Sequence, residues 1–239
     1  MKYIYGPIKS RRLGLSLGLS LSLRKVCNFD CIYCQWGRTS SQVSERKEYV
    51  AAAEIIAELK SWLLEYPVEA KKLNFVTLSG FGEPTLNTCI GEVIESAREA
   101  TGAKVAVITN STLLGSPEVR KSILSADLIV PSLDAVDEEI FKKIDRPCSG
   151  VELDSILEGL VALRKEFNGQ IWLEIMLLSG INDDIKHIED LVKWVKLINP
   201  DKVQLNSPVR STAESGVLPV DKKRLAEIRG MLGDKAEII

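Results

Sequence analysis

Leu15-Ser16-Leu17-Gly18-Leu19-Ser20-Leu21-Ser22-Leu23 runs, after three further residues, into Cys27-Asn28-Phe29-Asp30-Cys31-Ile32-Tyr33-Cys34-Gln35. The first stretch alternates Leu with Ser or Gly and reads as a strand. The second places three cysteines at C-x3-C-x2-C spacing, which suits one compact loop wrapped around a metal centre. Iron–sulfur clusters are held by cysteine thiolates, and a 4Fe–4S cubane has four irons to ligate. Three thiolates therefore leave one iron without a protein ligand. An open position marks a reactive site, just as a catalytic zinc keeps one open and a structural zinc does not. Cys27, Cys31 and Cys34 are the candidate metal ligands.

Other readings of these cysteines fit less well. A zinc knuckle wants a fourth Cys or His at ligand spacing, and the only histidine, His187, lies far away in an expected helix. A disulfide framework belongs to small secreted domains. This chain has 239 residues, 45% of them hydrophobic, with a net charge of −2. That is ample for a single domain spanning 1–239. The start Met-Lys-Tyr-Ile-Tyr-Gly-Pro lacks the apolar core of a signal peptide, and no apolar run reaches bilayer-spanning length. The expectation is a cytoplasmic protein without membrane contact. Charge is uneven: residues 1–50 carry nine Lys/Arg against three Asp/Glu, and the remainder 22 against 30. Such a basic segment suits nucleic acid or a phosphorylated ligand, or is simply a solvated, mixed-charge lead-in.

Working outward, six short apolar runs alternate with amphipathic stretches. The expected strands are Leu15–Leu23, Leu73–Ser79, Lys104–Thr109, Leu128–Leu133, Ile171–Leu178 and Lys202–Asn206. Their Val/Ile/Leu density points to buried parallel strands. The expected helices are Ala51–Tyr66, Thr88–Ala100, Pro117–Leu124, Asp154–Phe167, Asp184–Leu197 and Asp221–Leu232, several bounded by Pro, Asn or Gly. Strand–helix repetition gives right-handed βαβ units. Six units fall short of the eight of a closed barrel, so the fold class is α/β, a partial open (β/α)6 TIM-type barrel. Lys235–Ile239 reads as the start of a further strand.

In such barrels the working residues sit at the C-terminal strand ends. The second strand ends in Ser79-Gly80-Phe81-Gly82-Glu83-Pro84, the third in Thr109-Asn110-Ser111 and the fourth in Ser132-Leu133-Asp134. The fifth carries Glu174 in an apolar run and ends in Ser179-Gly180-Ile181-Asn182. A buried carboxylate is costly unless paired, so Glu174 either faces the lumen and binds substrate or pairs with a lysine. The sixth presents Gln204 and Asn206, with Arg210 at the rim. Arg11 and Arg12 join these as candidate substrate contacts. Cys89 reads as core, Cys148 as a loop residue that is a candidate hydrogen donor or reactive thiol, and His187 as surface.

The cysteine loop resembles the cluster loop of the radical S-adenosylmethionine (radical SAM) superfamily, and Tyr33 matches that family's usual aromatic. Gly80, Gly82 and Glu83 are similar to its Gly-Gly-Glu motif, with Phe81 replacing a small residue. The resemblance implies a radical SAM core binding a 4Fe–4S cluster and S-adenosylmethionine. It places Tyr33, Gly80, Gly82, Glu83, Asn110, Ser132, Asp134, Arg146, Gly180 and Ile181 near the cofactor. Ser132, with Asp134 behind it, would meet the ribose, Lys142, Lys143 or, by preference, Arg146 the methionine carboxylate, and Leu178, Gly180 and Ile181 the adenine. Glu83 would serve the cofactor rather than the fold. Gly6-Pro7-Ile8-Lys9-Ser10-Arg11-Arg12-Leu13-Gly14 and Asn206-Ser207-Pro208-Val209-Arg210 resemble a compact group usually placed beside the wyosine-base tRNA-modifying enzymes, whose additional elements are not found here. The implied activity is reductive cleavage of S-adenosylmethionine to a 5′-deoxyadenosyl radical that abstracts hydrogen from a substrate. That substrate is RNA, bound through Arg11, Arg12, Arg24 and Lys25, or a small molecule. An alternative is a protein, modified by an activase-like enzyme; an iron–sulfur electron carrier fits less well. An external reductant, flavodoxin or ferredoxin, is implied.

Overall fold

The computed structural model describes all 239 residues. Eight strands lie side by side in chain order: β1 (Ile4–Ser10), β2 (Gly14–Leu19), β3 (Phe75–Leu78), β4 (Lys104–Thr109), β5 (Leu128–Pro131), β6 (Gln170–Met176), β7 (Lys202–Asn206) and β8 (Ala236–Ile238). β2 to β8 are parallel, and β1 is antiparallel to β2. β1 and β8 form the edges, so the sheet stays open. The six expected strands are β2 to β7, and β8 is the expected further strand. β1 was not anticipated.

The helices are α1 (Ala52–Glu65), α2 (Pro67–Ala70), α3 (Ile90–Thr101), α4 (Pro117–Ile123), α5 (Glu138–Ile144), α6 (Leu153–Glu166), α7 (Ile185–Ile198) and α8 (Lys222–Leu232). Six match the expected helices, while α2 and α5 are additional short ones. Their ends follow local chemistry. Asp221 caps α8 by accepting from Lys223 N and Arg224 N at 2.9 and 3.0 Å. α7 ends where Asn199 turns left-handed at φ +50°. No helix is long and apolar enough to cross a membrane.

Period-two alternation assigns each strand's faces. In β6, Ile171, Leu173 and Ile175 are fully buried in the main core, while Trp172, Glu174 and Met176 on the other face are half-buried. The main core therefore lies between sheet and helices. A smaller apolar group, Leu13, Ala106, Leu128 and Val130 with Phe75, Ile108 and Trp172, fills part of the inner face. Leu13 comes from the β1–β2 turn, where Ser10 Oγ accepts from the backbone N–H groups of Arg12 and Leu13, both at 3.2 Å. That turn also carries Arg12 inward.

His187 is not on the surface. It is 4% exposed, because positions 187, 191, 195 and 198 of α7 share the buried face. Neither ring nitrogen has a hydrogen-bond partner. Burial depresses its pKa, the nearby acidic groups opposing it.

Candidate active site

The loop after β2 has no regular structure and is held by backbone bonds to its neighbours. Val26 N donates to Phe81 O (2.9 Å) and Glu83 N to Val26 O (2.9 Å), tying it to the turn after β3. Asp30 N reaches Asp145 O (3.0 Å) and Ile32 N reaches Ile144 O (2.9 Å), tying it to the end of α5. Asp30 is buried and accepts from Arg38 Nε (2.8 Å) and Thr39 N (2.5 Å). Asn28, fully buried, donates to Thr112 Oγ1 (2.7 Å) and accepts from Asn110 Nδ2 (2.8 Å). The backbone of the cysteine loop is thus fixed from three sides.

Cys27, Cys31 and Cys34 are free, half-buried thiols opening on one cavity. Phe29 N (3.4 Å) and Asn110 Nδ2 (3.7 Å) approach Cys27 Sγ. Lys25 Nζ donates to Cys34 Sγ (3.1 Å) and to the Gly37 carbonyl. Cys31 Sγ donates to Asp145 Oδ1 (3.4 Å). Burial pushes the Cys27 thiol up to about 12 and the Cys31 thiol well above its ordinary value. Such thiols ionise only when a bound cation compensates, as a coordinating metal does. No three Cys, His, Asp or Glu side chains gather closely enough to hold a single metal ion.

Gly80 and Gly82 line the cavity with φ of +119° and +132°. A Cβ on Gly82 would collide with the Val26 carbonyl, so glycine here lets the turn after β3 lie against the cysteine loop. Glu83 is 5% exposed. Its Oε1 accepts from Thr85 N (3.0 Å), Thr85 Oγ1 (2.6 Å) and Thr109 Oγ1 (2.7 Å), and its Oε2 from Asn110 N (2.6 Å). Burial raises its pKa and the four donors oppose that rise. The expectation that Glu83 serves a ligand rather than the fold therefore meets a carboxylate already joining the ends of β3 and β4.

Asn110 and Ser132 line the same cavity, as does Tyr33. Tyr33 Oη donates to Asp134, whose other oxygen accepts from Met176 N (2.8 Å). Asp134 is buried, which pushes its pKa up to about 7. It lies behind Tyr33, lining a small void with Asn110 and Ser132 rather than the main cavity.

The cavity has a volume of about 400 Å³, within the range of small-ligand sites. Arg11, Arg12, Glu174, Asn206 and Arg210 line it as well. Glu174 faces the lumen, and its partner is an arginine, not a lysine: Arg12 Nη1 pairs with Glu174 Oε2. Asn206 Nδ2 donates to Glu174 Oε1 (3.3 Å). Gln204 is fully buried below, between Arg12 (3.4 Å) and Glu237 (2.9 Å), and does not line the cavity. Arg146, Gly180 and Ile181 do not line it either. Arg146 pairs with Glu214 at 2.6 Å, Gly180 is exposed, and Ile181 packs with Ile32, Ile144 and Leu178.

Several site residues were missed by sequence reading: Asn28, Lys25 as a sulfur partner, Asp145, and Asn182, which donates to the Asp134 and Met176 carbonyls, both at 2.8 Å. Cys89 is buried core, and Cys148 N donates to Asn28 O (2.9 Å) beside the cysteine loop.

Residues 21–195 match the family described as the Radical SAM superfamily. UPF0026 protein MJ1312 of Methanocaldococcus jannaschii is 36% identical over 92% of this chain and 67% of its own length. A Brachyspira hyodysenteriae protein named GTPase Obg is 40% identical over 89% of this chain, which spans only 31% of that protein. Among solved structures, a radical SAM methyltransferase from Sphaerobacter thermophilus shares the fold, with a TM-score of 0.70 at 15% identity, over 94% of this chain and 65% of that one. The chain belongs to the radical SAM superfamily and is a radical SAM enzyme, a class defined by an iron–sulfur cluster and S-adenosylmethionine.

Proposed function

We propose that Cys27, Cys31 and Cys34 hold a 4Fe–4S cluster, and that S-adenosylmethionine binds against the strand ends carrying Gly80, Gly82, Asn110 and Ser132. The observation that carries this reading is the meeting of three free thiols and those strand ends on one cavity. When bound, the cluster would supply one electron to the sulfonium of S-adenosylmethionine, the chemistry by which this class generates a radical for hydrogen abstraction from substrate.

The chain's own residues prepare that site. Asn28 and Asn110 orient the Cys27 side of the loop, and Lys25 sets a positive charge against Cys34. Gly82 lets the turn after β3 approach the loop, and Glu83 fixes the backbone of Asn110 from behind. Asp134 and Asn182 form a buried polar layer that holds Tyr33 and the end of β6. Arg12, Glu174 and Asn206 form a polar floor on which a substrate would rest. Residues 1–239 act as one radical SAM domain, a reading supported by the uninterrupted eight-stranded sheet. The electron comes from an external flavodoxin or ferredoxin.

The test is anaerobic incubation of reconstituted enzyme with S-adenosylmethionine and dithionite, with 5′-deoxyadenosine and methionine quantified by mass spectrometry. Equimolar formation of both is expected. A cluster-loaded enzyme that yields neither overturns the proposal.

A further inference from the structure

The charges around the cavity do not cancel. Its lining has three arginines, Arg11, Arg12 and Arg210, and two carboxylates, Glu83 and Glu174. Glu83 is taken by four internal donors. Glu174 is taken by Arg12, with Asn206 on its second oxygen. Arg210 donates only to the neutral Gln35 side chain, at 2.6 Å. Arg11 is exposed and pairs with no protein carboxylate. Two guanidinium groups, arriving on different segments, are left to face the cavity.

Resting on the radical SAM reading, we propose that the substrate is a small anionic molecule whose phosphate or carboxylate group is met by Arg11 and Arg210. Guanidinium groups bind both anions through paired, charge-assisted hydrogen bonds. Two of the basic side chains expected to meet a nucleic-acid backbone are engaged inside the protein. Arg12 turns into the lumen onto Glu174, and Lys25 turns onto Cys34 and Gly37. RNA binding draws on a series of phosphate contacts, and two of the four residues expected to supply them are spoken for.

The test is calorimetry on the cluster-loaded protein saturated with S-adenosylmethionine. Inorganic phosphate, succinate and bulk tRNA are titrated in separate arms. At least one small anion should bind, and its affinity should fall as chloride rises. Arg11→Gln and Arg210→Gln should each weaken it about tenfold, the factor that loss of about 1.4 kcal/mol gives. The phosphate and succinate arms decide which anion is preferred. Iron content and cofactor binding measured on the same samples separate failure here from failure of the radical SAM reading. Three results overturn the proposal: no small anion binds while tRNA does, binding occurs only without the cofactor, or both variants bind as tightly as wild type. If either variant fails to fold, the chloride dependence of the wild-type protein still decides, since salt-insensitive binding contradicts a guanidinium site.

Discussion

Replacing Glu83 by Gln removes one acceptor where the structure needs two. Oε1 takes three donors and Oε2 takes the backbone N–H of Asn110. With the amide oxygen at Oε1, the new NH2 faces Asn110 N–H. With the amide reversed, it faces Thr85 N–H. The hydroxyls of Thr85 and Thr109 can rotate to accept, but a backbone N–H cannot. One buried backbone donor is therefore orphaned in either rotamer. A hydrogen bond to a charged acceptor contributes about 1.5–3 kcal/mol, and an unsatisfied buried donor costs a similar amount. The expected loss is about 3 kcal/mol, a sizeable share of the roughly 5–15 kcal/mol that folds a domain. For a chain of this size each kcal/mol moves the melting temperature by about 2–4 °C. The assay is thermal and urea unfolding of metal-free protein, so that no cofactor contributes. Unchanged unfolding together with lost S-adenosylmethionine binding would refute the reasoning and return Glu83 to a purely ligand-binding role.

Three further outcomes follow, two from glycine substitutions and one from a buried histidine. Gly82→Ala should push the cysteine loop off the turn after β3 and lower iron retention, because its Cβ collides with the Val26 carbonyl at a positive φ. Gly230→Ala in α8, where a Cβ meets nothing within 4 Å, should be neutral or stabilise by about 0.5–1 kcal/mol. His187 is buried with a depressed pKa, so the unfolded chain binds its proton more readily than the folded one. Stability should therefore be full above about pH 6.5, its ordinary value, and fall as pH drops below it, by at most about 1.4 kcal/mol per unit. Urea unfolding of His187→Leu at pH 7.5 and 5.5 should lose that histidine-dependent part of the slope.

The strands were legible because their Val, Ile and Leu runs are short and punctuated by Gly, Asn and Pro. β1 was not, because Ile4-Tyr5-Gly6-Pro7-Ile8-Lys9-Ser10 breaks its alternation. Proline is tolerated there because the strand lies at a sheet edge and its pairing shifts between Tyr5 and Ile8. α5 was missed because, unlike the equally short α4, it has no proline to mark its first turn. The strand ends that line the cavity followed from the α/β rule, whereas side-chain partners did not. Arg12 and Glu174 are 162 positions apart, and Arg146 and Glu214 are 68 apart. Glu174 could be marked as costly to bury, yet nothing local named its partner. His187 was readable: its spacing to Leu191, Val195 and Ile198 puts it on the apolar face, but its polar neighbours Lys186 and Glu189 pointed the other way.

The central claim is a cubane held by three cysteines with one iron left open, and its direct test is metal analysis with electron paramagnetic resonance. Anaerobically reconstituted protein should contain about four irons and four sulfides per chain, and on reduction give a cluster signal that shifts when S-adenosylmethionine is added. Alanine at Cys27, Cys31 or Cys34 should abolish that cluster, while alanine at Cys89 or Cys148 should leave it. A full cluster surviving in Cys31→Ala, or a signal indifferent to S-adenosylmethionine, would contradict the account.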